Sequence, residues 1–107
     1  LLLALPDRPS AIFASSDYLA IGVLQALHKA GLTVPGDMSL VGFDDMPFAE
    51  LVNPPLTTIR QPVAEMGRQA FLLLLALLND EPAMPVTRLP VDLVLRQSVA
   101  PFHPRTP

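Results

Sequence analysis

The chain has no cysteine, no tryptophan, only two histidines, and no run of lysine or arginine among its 107 residues. Without thiols it can form no disulfide, no cysteine nucleophile and no thiolate zinc site. His28 and His103 stand far apart in sequence, so no metal site is expected, and nothing in the motifs asks for a cofactor. The net charge of −3 gives these residues no electrostatic footprint for nucleic acid. Long hydrophobic runs are also lacking. "AFLLLLALL" (Ala70–Leu78) falls well short of the ~20 residues that cross a bilayer. The opening "LLLAL" has neither the basic region nor the cleavage site of a signal peptide. The expectation is a cytoplasmic chain with no membrane partner, and a start at Leu1 suggests a piece of something longer.

What is present is apolar and well punctuated. Half of the residues are hydrophobic, enough to fill a core and too many for a disordered tail. After the turn "PDRP" comes "AIFA" (Ala11–Ala14), a short apolar run of the kind that makes a buried strand. "SSD" (Ser15–Asp17) offers three capping residues for a helix in which Leu19, Ala20, Val23, Leu24, Leu27 and Ala30 recur at helical spacing. Gly31 sits where a left-handed C-terminal cap belongs. "TVPGD" turns the chain into "SLVGF" (Ser39–Phe43), a second buried strand.

Strand, helix and strand with short loops make a βαβ unit with parallel strands. Both strands then end at one edge of the sheet, which brings Ser15–Asp17 beside Asp44–Asp45, and in open parallel sheets ligands bind at that edge. "MPFAELVNPP" predicts a short helix closed by two prolines, and "LTTIRQ" an extended segment. Pro62 is expected at the first position of a second helix reaching about Asn79. Its half Phe71–Leu78 is apolar on every side and therefore expected to be buried all round, under cover supplied by the missing part of the protein or by a second copy. "TRLPVDLVLRQS" predicts one or two strands, and the proline-rich "VAPFHPRTP" is expected to fray. The fold class is α/β with a mostly parallel sheet.

The adjacent acids Asp44 and Asp45 invite a catalytic or magnesium reading, but no lysine or phosphate loop accompanies them, and Asp17 is the one acid nearby. Asp45 fits a cap for the short helix that follows. Asp44, first off the strand, can accept charge-assisted bonds from ligand hydroxyls; position alone leaves that role and a plain turn role both open. Ser16 and Asp17 carry the same ambiguity between cap and ligand contact. Thr57 and Thr58 read as ordinary strand residues, and Met46 as packing.

"AIFASSDYLAIGVLQALHKAGLTVPGDMSLVGFDD", then "PPLTTIRQPVAEMGRQAFLLLL" and "LPVDLVLRQS", resemble in order and register the C-terminal part of the effector-binding domain of lactose-repressor/galactose-repressor type transcription regulators. The resemblance runs from about Pro9 to Ser98. It implies a two-lobed, periplasmic-binding-protein-like fold, with residues 1–58 and 87–100 in the C-terminal lobe. Residues 59–86 would form the crossing and a helix of the N-terminal lobe, and 101–107 a tail.

It implies no catalysis. The expected partners are a small-molecule effector, a sugar first among sugars, nucleosides and purines, and further copies in a homodimer or tetramer. DNA would be met only through a helix-turn-helix domain absent from this chain. Asp44 matches an effector-hydroxyl ligand. Ser16 stands where the family usually has Asn, Asp17 keeps the second half of that pair as cap and brace, and Gln61 borders the cleft. Ile21, Leu24, Gln25, Met46 and Val52 fall where the family's C-terminal lobes dimerise. Two rival expectations are a periplasmic sugar-binding protein of a transport system and a magnesium enzyme built on Asp17, Asp44 and Asp45.

Overall fold

Ser16 opens the helix that organises the first half of the chain. In the computed structural model, which describes residues 2–102, its backbone is extended and its Oγ accepts a hydrogen bond from Leu19 N at 3.2 Å. This is the N-cap geometry that satisfies a free first-turn amide. The helix α1 (Asp17–Lys29) ends at Ala30, and Gly31 takes the left-handed conformation (φ +71°) that stops it. Asp37 then closes the next turn by accepting from Thr33 N at 2.8 Å and Thr33 Oγ1 at 2.7 Å.

α1 lies between β1 (Ala11–Phe13) and β2 (Ser39–Val41), which pair in parallel with Ala11 opposite Ser39 and Phe13 opposite Val41. Ala20, Leu24 and Leu27, spaced for one helix face, are buried with Ala14, Met38, Leu40, Ala49 and Leu56. A second pair of neighbouring strands, β3 (Thr58–Arg60) and β4 (Asp92–Val94), is joined to β2 by parallel bridges at Val41–Thr57 and Asp44–Arg60. The expected short helix is a single 3-10 turn, Pro47–Glu50. The opening Leu2–Ala4 is another.

The chain divides into two compact units. One holds the residues up to Arg60 together with those from Leu93 on, and the other is Gln61–Asp92. The first is closed by Ser98, which is fully buried. Its Oγ donates to Leu40 O at 2.5 Å and accepts from Thr57 N at 2.8 Å, while its carbonyl accepts from Leu40 N at 2.8 Å. Beyond it Ala100 N still reaches Ser39 Oγ at 3.1 Å, so the tail is tethered one residue past Val99, where fraying was expected to begin. His103 and the last residues lie outside the described residues.

The second unit is built on α2 (Val63–Leu78), with Pro62 as its N-cap residue and not its first helical residue. Its polar face is stitched by Arg68 and Gln69, which donate three bonds of 2.7–2.8 Å to Glu65. Hydrogen bonds from Arg68 and Gln69 bring the Glu65 carboxyl down to about 2. No residue of α2 is buried: Phe71 is 60% exposed and Leu78 70%. Phe71–Leu78 is left uncovered within this unit, because one helix and its flanking loops provide no second layer to pack on, and its expected cover lies outside this chain. No helix among the described residues is long and apolar enough to cross a membrane.

Candidate functional site

The acids at the end of β2 are held in an unusual backbone shape. Asp44 has φ +119° and Asp45 φ +54°, two successive non-glycine residues in the half of conformational space that L-residues avoid. Such residues cost on the order of 1–3 kcal/mol each and persist only where their surroundings fix them. Here three consecutive amides are gripped from outside the corner. Asp44 N donates to Ile59 O at 2.9 Å, Asp45 N to Thr58 Oγ1 at 3.4 Å, and Met46 N to Asp17 Oδ2 at 2.8 Å.

Asp17, the first residue of α1, supplies the anchor for this arrangement. It is fully buried, its N donates to Phe43 O at 2.9 Å, and its other carboxylate oxygen accepts from Thr58 Oγ1 at 2.6 Å. The carboxylate thus links the start of α1 to β3 and to the corner. It sits so close under β2 that Gly42 admits no side chain: a Cβ there would collide with Asp17 Oδ1 and come within 2.9 Å of Leu56 Cδ2.

Asp45 is held by two arginines. Its Oδ2 meets Arg60 Nε at 2.6 Å and its Oδ1 meets Arg96 Nη2 at 2.7 Å. Burial alone would raise its carboxyl, but the hydrogen bonds and positive charges of Arg96 and Arg60 outweigh it and hold the group below the usual carboxylate range. Arg96 is itself fixed, donating from Nη1 to Leu56 O and from its backbone N to Thr57 Oγ1, both at 2.9 Å. Beside the corner lies a polar cavity of about 170 Å³ lined by Asp45, Met46, Pro47, Glu50, Arg60 and Arg96.

The sequence-predicted residues separate into groups. Asp44 stands half-buried at the corner, with Ser16 and Asp17 at the start of α1 on the same edge of the sheet. Ser16 serves as the N-cap, and the Asp17 carboxylate is spent on Thr58 and Met46, which makes it a brace and removes it from the groups that could meet a ligand. Gln61 begins the second unit and is half-buried there. Of the residues expected on a dimer face, Gln25 is exposed and Ile21, Met46 and Val52 are half-buried. Leu24 is 5% exposed and belongs to the core, because its spacing from Ala20 and Leu27 turns it toward the sheet. Exposed apolar groups of this region include Tyr18, its ring tilted 60° against Phe48 with centroids 4.9 Å apart, and Leu51.

Asp45 does not cap the turn that follows: the cap residue there is Met46, with no side-chain bond. Sequence reasoning also missed Thr57, Thr58, Arg60 and Arg96. The threonines are buried as hydrogen-bond junctions, a role that a β-branched strand residue does not advertise. A magnesium site is poorly served, since Asp17 and Asp45 are both engaged by protein donors. Among the described residues, no three acids, histidines or cysteines gather as metal ligands.

Comparison with known proteins agrees with this architecture. The model of the periplasmic binding protein-like domain matches residues 1–99. The lactose operon repressor of Rhizobium radiobacter is 42% identical over 97 residues, covering 91% of this chain and 86% of that protein. This chain belongs to the periplasmic binding protein-like family, in its LacI-type branch. The HTH-type transcriptional repressor CytR of Escherichia coli K12 is 43% identical over 98 residues, or 91% of this chain. The LacI-type chain spans 29% of the length of that repressor. Among solved structures, a LacI-family regulator of Enterococcus faecium with bound ribose superposes with a TM-score of 0.77 at 38% identity, over 91% of this chain and 37% of that one. The lac repressor dimer bound to operator and the anti-inducer ONPF superposes with a TM-score of 0.79 at 35% identity, over 85% of this chain and 32% of its own. CytR, the Rhizobium radiobacter lactose operon repressor and the PurR of Vibrio vulnificus are all repressors, so the transport alternative is not favoured.

Proposed function

We propose that this LacI-type chain is the effector-sensing and dimerising portion of a cytoplasmic transcription regulator, without catalytic activity. A small molecule, a sugar first, binds at the edge where β2 and α1 present Asp44 and Ser16. The observation that carries this reading is the built corner at Asp44, held in an avoided conformation by three anchored amides at the ligand-binding edge of a parallel sheet. A carboxylate there can accept two hydroxyl hydrogen bonds, the recognition a sugar needs. The ribose held by the Enterococcus faecium regulator supports the choice of ligand class.

Effector binding would favour one arrangement of the regulator over another and so change operator affinity through a DNA-binding domain outside this chain, a coupling of about 1–3 kcal/mol. Copies would associate through Tyr18, Ile21, Gln25 and the segment Met46–Val52. The test has two steps in the full-length protein. A thermal-shift panel of sugars and nucleosides first identifies the effector, and Asp44→Ala is then compared with wild type. Loss of the effector response with operator binding retained is expected; an unchanged response refutes the assignment.

A further inference from the structure

We infer that Arg96 is a positioning residue of the effector site: through Asp45 it holds the Asp44 corner in its strained shape, with Arg60 as a minor partner. The inference rests on the proposed role of Asp44, but its structural half can be tested without it. Two successive positive-φ residues relax unless something opposes the relaxation. The backbone anchors act on the amides of residues 44–46, and the bond to Asp45 N is long at 3.4 Å. The side chain of Asp45 is a further handle, and it is held at both oxygens.

The two arginines are not equivalent. The Arg60 side chain is 56% exposed and adjoins the corner on β3, so water and salt screen its pairing. The Arg96 side chain is 15% exposed, its Nη1 is tied to Leu56 O, and its backbone N is fixed on Thr57 Oγ1. A guanidinium tied at Nη1 to a backbone carbonyl and shielded from solvent resists following a moving carboxylate, so it fixes where Asp45 lies. Asp45 follows Asp44 directly in the chain, and the constraint passes through one peptide plane.

Amide hydrogen exchange in the full-length protein tests this, comparing wild type with Arg96→Met, Arg96→Lys and Arg60→Met. Exchange at Asp44, Asp45 and Met46 should rise about tenfold or more in Arg96→Met, with Leu24 and Leu27 unchanged. Arg96→Lys, which keeps the charge but not the fork that also reaches Leu56 O, should recover only part of the protection, and Arg60→Met should change it by less than about threefold. Unaltered exchange at the corner in Arg96→Met overturns the inference, as does an equal rise at Leu24 and Leu27, which would mark general destabilisation. D-ribose titration of the same proteins separates the two readings. A loosened corner in Arg96→Met, with a ribose response indifferent to Asp44→Ala, supports the positioning role and refutes the ligand role of Asp44.

Discussion

Replacing Thr58 by valine removes one hydroxyl and almost no volume, so it isolates the hydrogen bond that ties β3 to Asp17. In the native fold Thr58 Oγ1 donates to Asp17 Oδ1 at 2.6 Å, and both residues are fully buried. Hydrogen bonds to carboxylates contribute about 1.5–3 kcal/mol, and a buried acceptor left short of a donor adds to the loss. The 3.4 Å bond from Asp45 N to the same oxygen is long enough to add little. The expected cost of Thr58→Val is therefore about 2–4 kcal/mol. Thr58→Ser keeps the hydroxyl and loses a methyl, for about 1 kcal/mol. In urea unfolding of the full-length protein followed by circular dichroism, the valine variant should lower the midpoint of this domain's transition by about 1–2 M. A double-mutant cycle with Asp17→Asn should show strong coupling. A valine variant within about 0.5 kcal/mol of wild type, or a serine variant as damaged as valine, would refute the brace.

Gly42→Ala should destabilise by at least ~2 kcal/mol, because its methyl would run into both Asp17 Oδ1 and Leu56 Cδ2. The same unfolding assay reads it, and a neutral alanine variant would contradict the close approach. Acid unfolding tests Asp45. A carboxyl held below its ordinary value binds fewer protons folded than unfolded between the two values, so its stabilisation is present above about pH 3.9 and fades as pH falls through the folded value. Asp45→Asn should flatten the stability profile in that acid window relative to wild type; parallel profiles would remove Asp45 from the acid response.

The βαβ core was legible because it is written locally. Helical spacing, a serine at the cap and a glycine after the last turn lie within a stretch where each signal confirms the next. The place of Asp44 just past β2 was legible too, since the end of a parallel strand is a position that topology alone makes prominent. Arg96 was not. It lies 51 residues from Asp45, and an arginine in an alternating strand region carries no mark of its distant partner. Thr58 fits its strand by propensity and so gives no hint of its hydroxyl's work. The interface reading erred at Leu24 because a wide apolar stripe does not say which of its edges faces the sheet.

The discontinuity of the first unit sets an order of events on a chain made from its N-terminus. β1, α1, β2 and β3 can assemble once Arg60 has been synthesised, but Arg96 and Ser98 arrive only after all of Gln61–Asp92 has been added. Until then β2 and β3 lack the hydroxyl that joins Leu40 to Thr57, and Asp45 has only the exposed Arg60 as a partner. A nascent chain halted before residue 93 would hold the core of the unit while its Asp44 corner stayed open. The Asp44 corner is thus the last part of this unit to be finished, and a ribosome-bound chain should acquire protection there in one late step.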